Sequence, residues 1–464
     1  MPRISLFYLS FLLLSIGFSA DVNAQTLSLK QAVDAALTNY GSIKAKDNYA
    51  SASKTLIQQA RREYLPNLNL SAQQDYGTIN GQNGPQYGLG GLGTASSGPS
   101  LNKQNWNAAF GGLYLANVNW DFFTFGKIKE RIKIADATYQ RDKNDLEQEK
   151  FQQEIRVSAA YLNLLAAQRL SKSQQKNLDR AITFKNMAVI RAKNGLIAGV
   201  DSSLAKAEVS SAKIALTKAK DLEQEQANRL GVLMGLTATS YVLDTASITR
   251  IPGNLLEDTV IKNSHPMLKF YQNRVDVSQQ QVNYFKKLYY PTFTFFGVMQ
   301  GKGSGFSAAY ALDQTAYSTS YADGINPTRG NYLIGIGMTW NLSTLLKNRP
   351  QVRAQEYISQ GLKEEYNLVD QQLKAQLVLA ETKLNNALAN YREAPIQVKA
   401  ASDAYLQKST LYKNGLTTLV DLTQALFTLN RAETDRDIAF TNVWQALLLK
   451  SSALGNYDLF INEF

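Results

Sequence analysis

Lys193-Asn194-Gly195-Leu196 is written again as Lys413-Asn414-Gly415-Leu416, 220 residues further along the chain. Val200-Asp201 returns as Val420-Asp421 at the same spacing. Without a gap, Ala205, Ala212, Ala219 and Gly235 fall on Ala425, Ala432, Ala439 and Gly455. Upstream, Trp120 falls on Trp340, and Tyr64-Leu65-Pro66 corresponds to Tyr289-Tyr290-Pro291 at a spacing of 225. One shared tetrapeptide is weak, but a register held over this much chain marks a tandem duplication. The halves meet near Ile251-Pro252-Gly253, which gives a first repeat over 25–250 and a second over 251–464.

Each repeat reads in the same order: helix, strand, polar loop, strand, very long helix, tight turn, helix. Leu27 to Tyr64 has no proline, is rich in Ala, Gln, Lys and Ser, and predicts a helix. Pro66 ends it, because the residue before proline avoids the α region. Leu68, Leu70 and Ala72 then alternate with Asn67, Asn69 and Ser71, the period of a strand over about 66–77. A second strand over about 110–121 puts Tyr114, Ala116, Val118 and Trp120 on one face and Asn117 and Asn119 on the other. In the second repeat, Pro291 opens a strand over about 291–300 that carries Phe293 and Phe295. Its mate, about 331–341, sets Tyr332, Ile334, Ile336, Met338 and Trp340 against Gly335, Gly337 and Thr339.

Stretches rich in Gly, Ser, Asn and Tyr, about 77–105 and 301–330, predict long surface loops. The first holds Gly88-Leu89-Gly90-Gly91-Leu92-Gly93, whose spacing imitates a dinucleotide fingerprint. With polar loop on both sides, and neither strand before nor helix after, it is loop glycine. Lys127 to Lys193 contains no proline and stops at Asn194-Gly195; as one helix it spans roughly 100 Å. Ile128, Ile132, Ala135, Tyr139, Asp142 and Leu146 step by four and three, as do Leu373, Leu377, Ala380, Leu384, Ala387 and Tyr391. Such spacing predicts a coiled-coil seam. Turns at Gly195 and Gly415 reverse the chain into two helical hairpins, with tips at about 194–201 and 414–421.

Met1-Pro2-Arg3, an apolar run from Ile4 to Ala20 and Val22-Asn23-Ala24 describe a cleaved secretory signal peptide over 1–24. The chain has no cysteine, which excludes disulfides, thiol catalysis, cysteine metal clusters and a lipidated N-terminal cysteine. Past the signal no apolar run approaches the ~18 residues of a spanning helix, so a membrane crossing would be made by strands. The net charge of +11 permits an anionic partner. Yet basic residues alternate with acids, as in Lys127-Ile128-Lys129-Glu130-Arg131 and Arg141-Asp142-Lys143-Asn144-Asp145. That is a solvated helix surface, and no nucleic-acid partner is expected. His265 is the only histidine, so no metal site is expected. Without a histidine pair, a phosphate loop or a nucleophile elbow, neither enzyme activity nor a cofactor is expected.

Strands of this length, apolar on one face with aromatics near their ends, fit an outer-membrane barrel. Tyr114, Val118, Trp120, Ile334, Ile336, Met338 and Trp340 would face lipid, and Asn117, Asn119, Gly335 and Gly337 would line water. Four strands cannot close a barrel, and open edges in hydrocarbon cost several kcal/mol per unpaired group. Other copies must complete it, and three chains giving twelve strands is the simplest closure. The alternative is a β-meander packed on a helical stalk, a periplasmic coiled-coil scaffold without a pore.

On these residues the chain resembles the TolC family of outer-membrane efflux and secretion ducts. The resemblance rests on the strand-opening Pro66 and Pro291 and on Trp120-Asp121-Phe122-Phe123-Thr124-Phe125-Gly126 at the strand-to-helix passage. It rests equally on the paired Gly-x4-Val-Asp tips, Gly195 to Asp201 and Gly415 to Asp421, and it covers essentially the whole mature chain. It implies a mixed, mainly α fold: a homotrimer whose twelve-stranded barrel, in the outer membrane of a Gram-negative bacterium, continues as a helical periplasmic tunnel. It also implies a passive exit duct for a tripartite efflux pump or type I secretion system, with a periplasmic adaptor (membrane fusion) protein and an inner-membrane transporter as partners.

Asp201 and Asp421 would then form carboxylate rings where the tunnel narrows. As local structure they read as helix N-caps, Asp421 having capping-box spacing to Gln424. Tyr412 matches the family's gate tyrosine, while its gate arginine and second aspartate read Thr417 and Gln424 here. Asn194, Gly195 and Leu196, with Asn414, Gly415 and Leu416, match the tips that meet the adaptor. A plain helix C-cap explains those glycines and leaves the leucines unexplained. Phe464 resembles the last residue of many barrels, but it follows a helix and is read as coincidence.

Overall fold

The computed structural model describes residues 26–81, 100–237, 241–245, 250–253 and 264–464. The expected signal peptide and the glycine run at 88–93 lie outside the described residues.

The first helical stretch is two helices. Ser28 opens α1 (Leu29–Asn39) through a capping box with Gln31. Tyr40 then adopts extended backbone and ends it, and α2 (Gly41–Arg62) begins at once. The expectation of one helix from Leu27 to Tyr64 is corrected here, since no proline announced the break. The strands β1 (Asn67–Thr78) and β2 (Ala108–Phe123) follow, then α3 (Lys127–Lys193) and α4 (Gly199–Met234). The second repeat gives α5 (Pro266–Lys287), β3 (Thr292–Ser304), a short α6 (Tyr321–Ile325), β4 (Arg329–Thr339), α7 (Thr344–Lys413) and α8 (Leu419–Leu454), with α9 (Asp458–Ile461) after it. The duplication reaches atomic detail. Helices α4 and α8 both have 36 residues and end on glycines, Gly235 and Gly455, at φ 70°. Trp120 donates from Nε1 to the Tyr64 carbonyl, and Trp340, just past β4, donates to that of Tyr289.

The chain forms two compact units, and each draws on both repeats. The first comprises Met1–Ala50, Asp142–Gln272 and Glu364–Phe464; the second comprises Ser51–Arg141 and Asn273–Lys363. In the first unit the α7 seam Leu373, Leu377, Ala380, Leu384, Ala387 is buried at its four-three spacing. Leu384 and Ala387 pack with Val443 and Ala446 of α8, and Ala401 packs with Leu429 and Ala432. A larger core joins Leu29 and Val33 to Tyr161, Leu164, Leu230 and Trp444. Phe464 sets its ring 5.1 Å from that of Trp444 and edge-on to Tyr161, so it is part of this core. His265 is buried elsewhere in the same unit, its ring edge-on to Phe151. Its Nδ1 accepts from the Met267 N–H, its Nε2 lies 3.2 Å from the Ser452 carbonyl, and burial lowers its pKa. It is a satisfied core histidine in its neutral form.

The second unit holds an antiparallel sheet in the order β1-β2-β3-β4, so β2 and β3 join the two repeats and β1 and β4 are its edges. Register puts Leu68, Val118, Gly297 and Ile334 in one row and Trp120, Phe295 and Ile336 in the next, all on one face. Ile334 and Ile336 are 67 % and 69 % exposed. The four charged residues of these strands, Asp75, Asp121, Lys302 and Arg329, share the opposite face with Asn67, Asn69, Asn117 and Asn119. The period-two alternation therefore keeps all four strand charges off the Ile334/Ile336 face, while the charged face also carries Leu113, Leu115, Phe296, Val298 and Leu333.

The loop expected over 301–330 is largely structured. β3 runs on to Ser304, and the chain around α6 lies flat on β2 and β3. A Cβ on Gly303 would come within 2.6 Å of the Asn326 carbonyl oxygen, and one on Gly324 within 2.4 Å of the Phe110 Cβ, so only glycine permits this approach. Tyr114, on the apolar face, is half-buried beneath this segment and donates to the Ile325 carbonyl. Among the described residues no helix is long and apolar enough to cross a membrane.

Candidate functional site

At both hairpin tips the outgoing helix ends in the same way. Gly195 and Gly415 take φ +69° and +76°, which a side chain would resist, and the N–H of the next residue reaches back: Leu196 to the Arg191 carbonyl, Leu416 to that of Leu411. This is a Schellman closure, which usually packs its apolar follower against the helix. Here Leu196 and Leu416 remain 65 % and 72 % exposed. Val200 and Val420, their neighbours one step before the aspartates, are exposed as well.

The returning helices begin differently. Asp421 is not an N-cap. It is the third residue of α8, and Thr418 is the cap, with its hydroxyl accepting from the Asp421 N–H. In return the Asp421 carboxylate accepts from the Thr417 hydroxyl at 2.8 Å and the Thr418 hydroxyl at 2.9 Å. These bonds, with the Thr418 N–H and the charge of Lys408, hold its pKa below the usual carboxylate range. Asp201 is likewise third in α4, but its cap position is Ala198, which offers no side-chain bond.

Between the tips, Phe184 and Ala188 of α3, Ala205 of α4, Tyr412 of α7 and Leu419 and Leu422 of α8 form one buried cluster. Tyr412 falls further along the same four-three register of α7 and is only 3 % exposed. Its ring lies against Phe184 at 5.4 Å and under the Arg191 guanidinium, whose carbon is 5.3 Å from the ring centre. Arg191 Nη1 also donates to the Tyr412 main-chain carbonyl. The Tyr412 hydroxyl is buried without a hydrogen-bond partner among the described residues. Burial raises its pKa, opposed by Arg191 and reinforced by the charge of Asp201. The fold therefore gathers Tyr412, Asp201 and Arg191, and leaves Asp421 exposed and fastened within its own tip. Arg191 escaped the sequence reading. Its partner is 221 residues away and across two hairpins, and a basic residue in the last turn of a helix has an ordinary explanation.

The sequence profile described as "outer membrane efflux protein" matches residues 32–236 and 260–447. The chain belongs to the outer membrane efflux protein family. Three solved structures share the fold of this efflux protein. CusC aligns at TM-score 0.76 and 12 % identity, over 92 % of this chain and 92 % of that one. The outer membrane protein VceC of Vibrio cholerae gives 0.72 and 17 %, over 92 % and 96 %. The open-state outer membrane channel MtrE of Neisseria gonorrhoeae gives 0.72 and 15 %, over 92 % and 89 %. No protein of curated function matches the efflux protein by sequence.

Proposed function

We propose that three copies of this efflux protein form an outer-membrane duct, the passive exit for substrates delivered by an inner-membrane transporter through a periplasmic adaptor. The observation that carries this reading is the four-stranded sheet, with two unpaired edges, an exposed apolar face and every charge on the other face. Pairing β4 of one copy with β1 of the next closes twelve strands and leaves no open edge in hydrocarbon. The apolar face, with Val118, Trp120, Ile334, Ile336, Met338 and Trp340, then meets lipid, and Tyr114 stands at its outer margin. The charged face lines water. The long hairpins continue the wall as a helical tunnel in the periplasm.

At the tips, the exposed Leu196 and Leu416 beside Asn194, Gly195, Asn414 and Gly415 are the knobs an adaptor would grip. Arg191 on Tyr412 holds the hairpins together at the narrow end, with Asp201 and Asp421 supplying a cation-binding mouth. Thr417 and Gln424 stand where the family places its gate arginine and second aspartate, so fewer charges close this gate. Heat-labile trimers in outer-membrane fractions and discrete conductance in planar bilayers are expected. A water-soluble monomer would end the reading. Asp201→Ala combined with Asp421→Ala should weaken channel block by multivalent cations, and unchanged block would remove both from the gate.

A further inference from the structure

The charges of the sheet are unevenly placed along its polar face. Both acids have a local partner: Asp75 accepts from Gln73 Nε2 at 2.9 Å and Asp121 from the Thr294 hydroxyl at 2.7 Å. Lys302 and Arg329 stand directly opposite each other across β3 and β4, at the loop end of the sheet. Both are exposed, and neither side chain makes a hydrogen bond or ion pair among the described residues.

Like charges directly opposite in an antiparallel pair repel and weaken it. Sheet stability therefore gives no reason for this arrangement. The row in which the two cations sit is completed by Leu113 and Gln73, and the next pair towards the helices is Gln300 with Asn331. Nothing in those positions neutralises them. The nearest acid on the face, Asp75, lies in the adjacent row and two strands from Lys302. Asp121 lies near the opposite end of the strands.

We propose that Lys302 and Arg329 form a cationic collar on the water-filled side of the barrel at its loop end, which concentrates small anionic solutes there. This rests on the trimeric duct described above, in which threefold repetition turns each pair into a belt around the lumen. Rings of Lys and Arg favour anions, and low-dielectric walls focus their field. The attraction is screened within ~10 Å at 0.1 M salt and ~3 Å at 1 M, so it acts near the wall and fades as salt rises.

The absence of native cysteine makes a direct test available. Asn331→Cys places a single thiol on the same face, one pair inward from Arg329. Its modification rates by anionic, neutral and cationic methanethiosulfonates are compared in trimers embedded in outer membrane, with and without Lys302→Gln and Arg329→Gln. At low salt the anionic reagent should outpace the cationic one by about tenfold after correction for intrinsic reactivity, and the preference should vanish in the doubly neutralised chain. In planar bilayers the same neutralisation should move the reversal potential towards cation selectivity. A thiol that reacts with all three reagents at ratios indifferent to the neutralisation overturns the collar alone. If impermeant reagents do not reach position 331 in an intact trimer, this face does not line water, and the duct reading falls with the collar.

Discussion

The two hairpin tips began as the same sequence and now differ where it counts mechanically. Both keep Lys-Asn-Gly-Leu, a left-handed glycine and an aspartate third in the returning helix. The second tip ties that aspartate to two threonine hydroxyls and caps its helix reciprocally; the first has Ile197 and Ala198 at those positions and leaves the helix start without a side-chain cap. The long helices leading to the tips show the reverse asymmetry. Helix α3 runs 67 residues without proline, whereas α7 runs 70 and stays helical through Pro350 near its start and Pro395 in its shaft, neither of which can bond the carbonyl four residues back. The duplication has thus produced one hairpin with a firm shaft and a loose tip, and another with a fastened tip and a weak point in its shaft.

The largest test of that contrast is Pro395→Ala. An interior proline costs about 3 kcal/mol, of which up to ~1 is regained because proline restricts the unfolded chain, so a net gain of about 2 kcal/mol is expected. Pro395 is exposed, so no packing is lost. The gain should appear in denaturant unfolding, together with fewer openings in bilayers, and an unchanged midpoint would mean that α7 already absorbs the defect. Next in size is Thr418→Ala, which removes the cap of α8 and should cost about 1 kcal/mol. The converse, Ala198→Thr, supplies the missing cap to α4 above an aspartate already in third position. It should gain a few tenths to ~1 kcal/mol and make the tips alike. Equal loss of backbone amide protection at both tips before any substitution would dissolve the comparison.

The smallest effect concerns pH. Because the folded-state pKa of Asp421 is lowered, first by the Thr417 bond and then by those of Thr418, its contribution is fully present above the unfolded carboxylate value and lost as pH falls through the folded one. The stability difference between the natural chain and Asp421→Asn should therefore hold from neutral pH down to the ordinary carboxylate range and disappear only below it.

Much of this architecture is legible in sequence because it rests on periods. The duplication fixes the element order, alternation gives the strand faces, and four-three steps locate the α7 seam. What stayed hidden depends on single residues meeting across the fold. The true cap of α8 was present in the spacing of Thr418 and Asp421, but Asp421 competes for the same role when the helix start is unknown by three residues. Nothing in the Ala- and Gln-rich first stretch announces the turn at Tyr40. The close approach of the α6 segment needs Gly303 and Gly324 together, and each alone looks like loop composition. Arg191 beside Tyr412 can be seen only once two hairpins are placed side by side.

The unfinished edges of the sheet carry a genetic consequence. In the three-chain wall proposed above, one damaged β1 or β4 would breach every assembly that recruits it, so mixed expression would leave sound pores only as the cube of the healthy fraction. A proline in β4 would therefore act dominantly, poisoning a cell that still makes ample good protein.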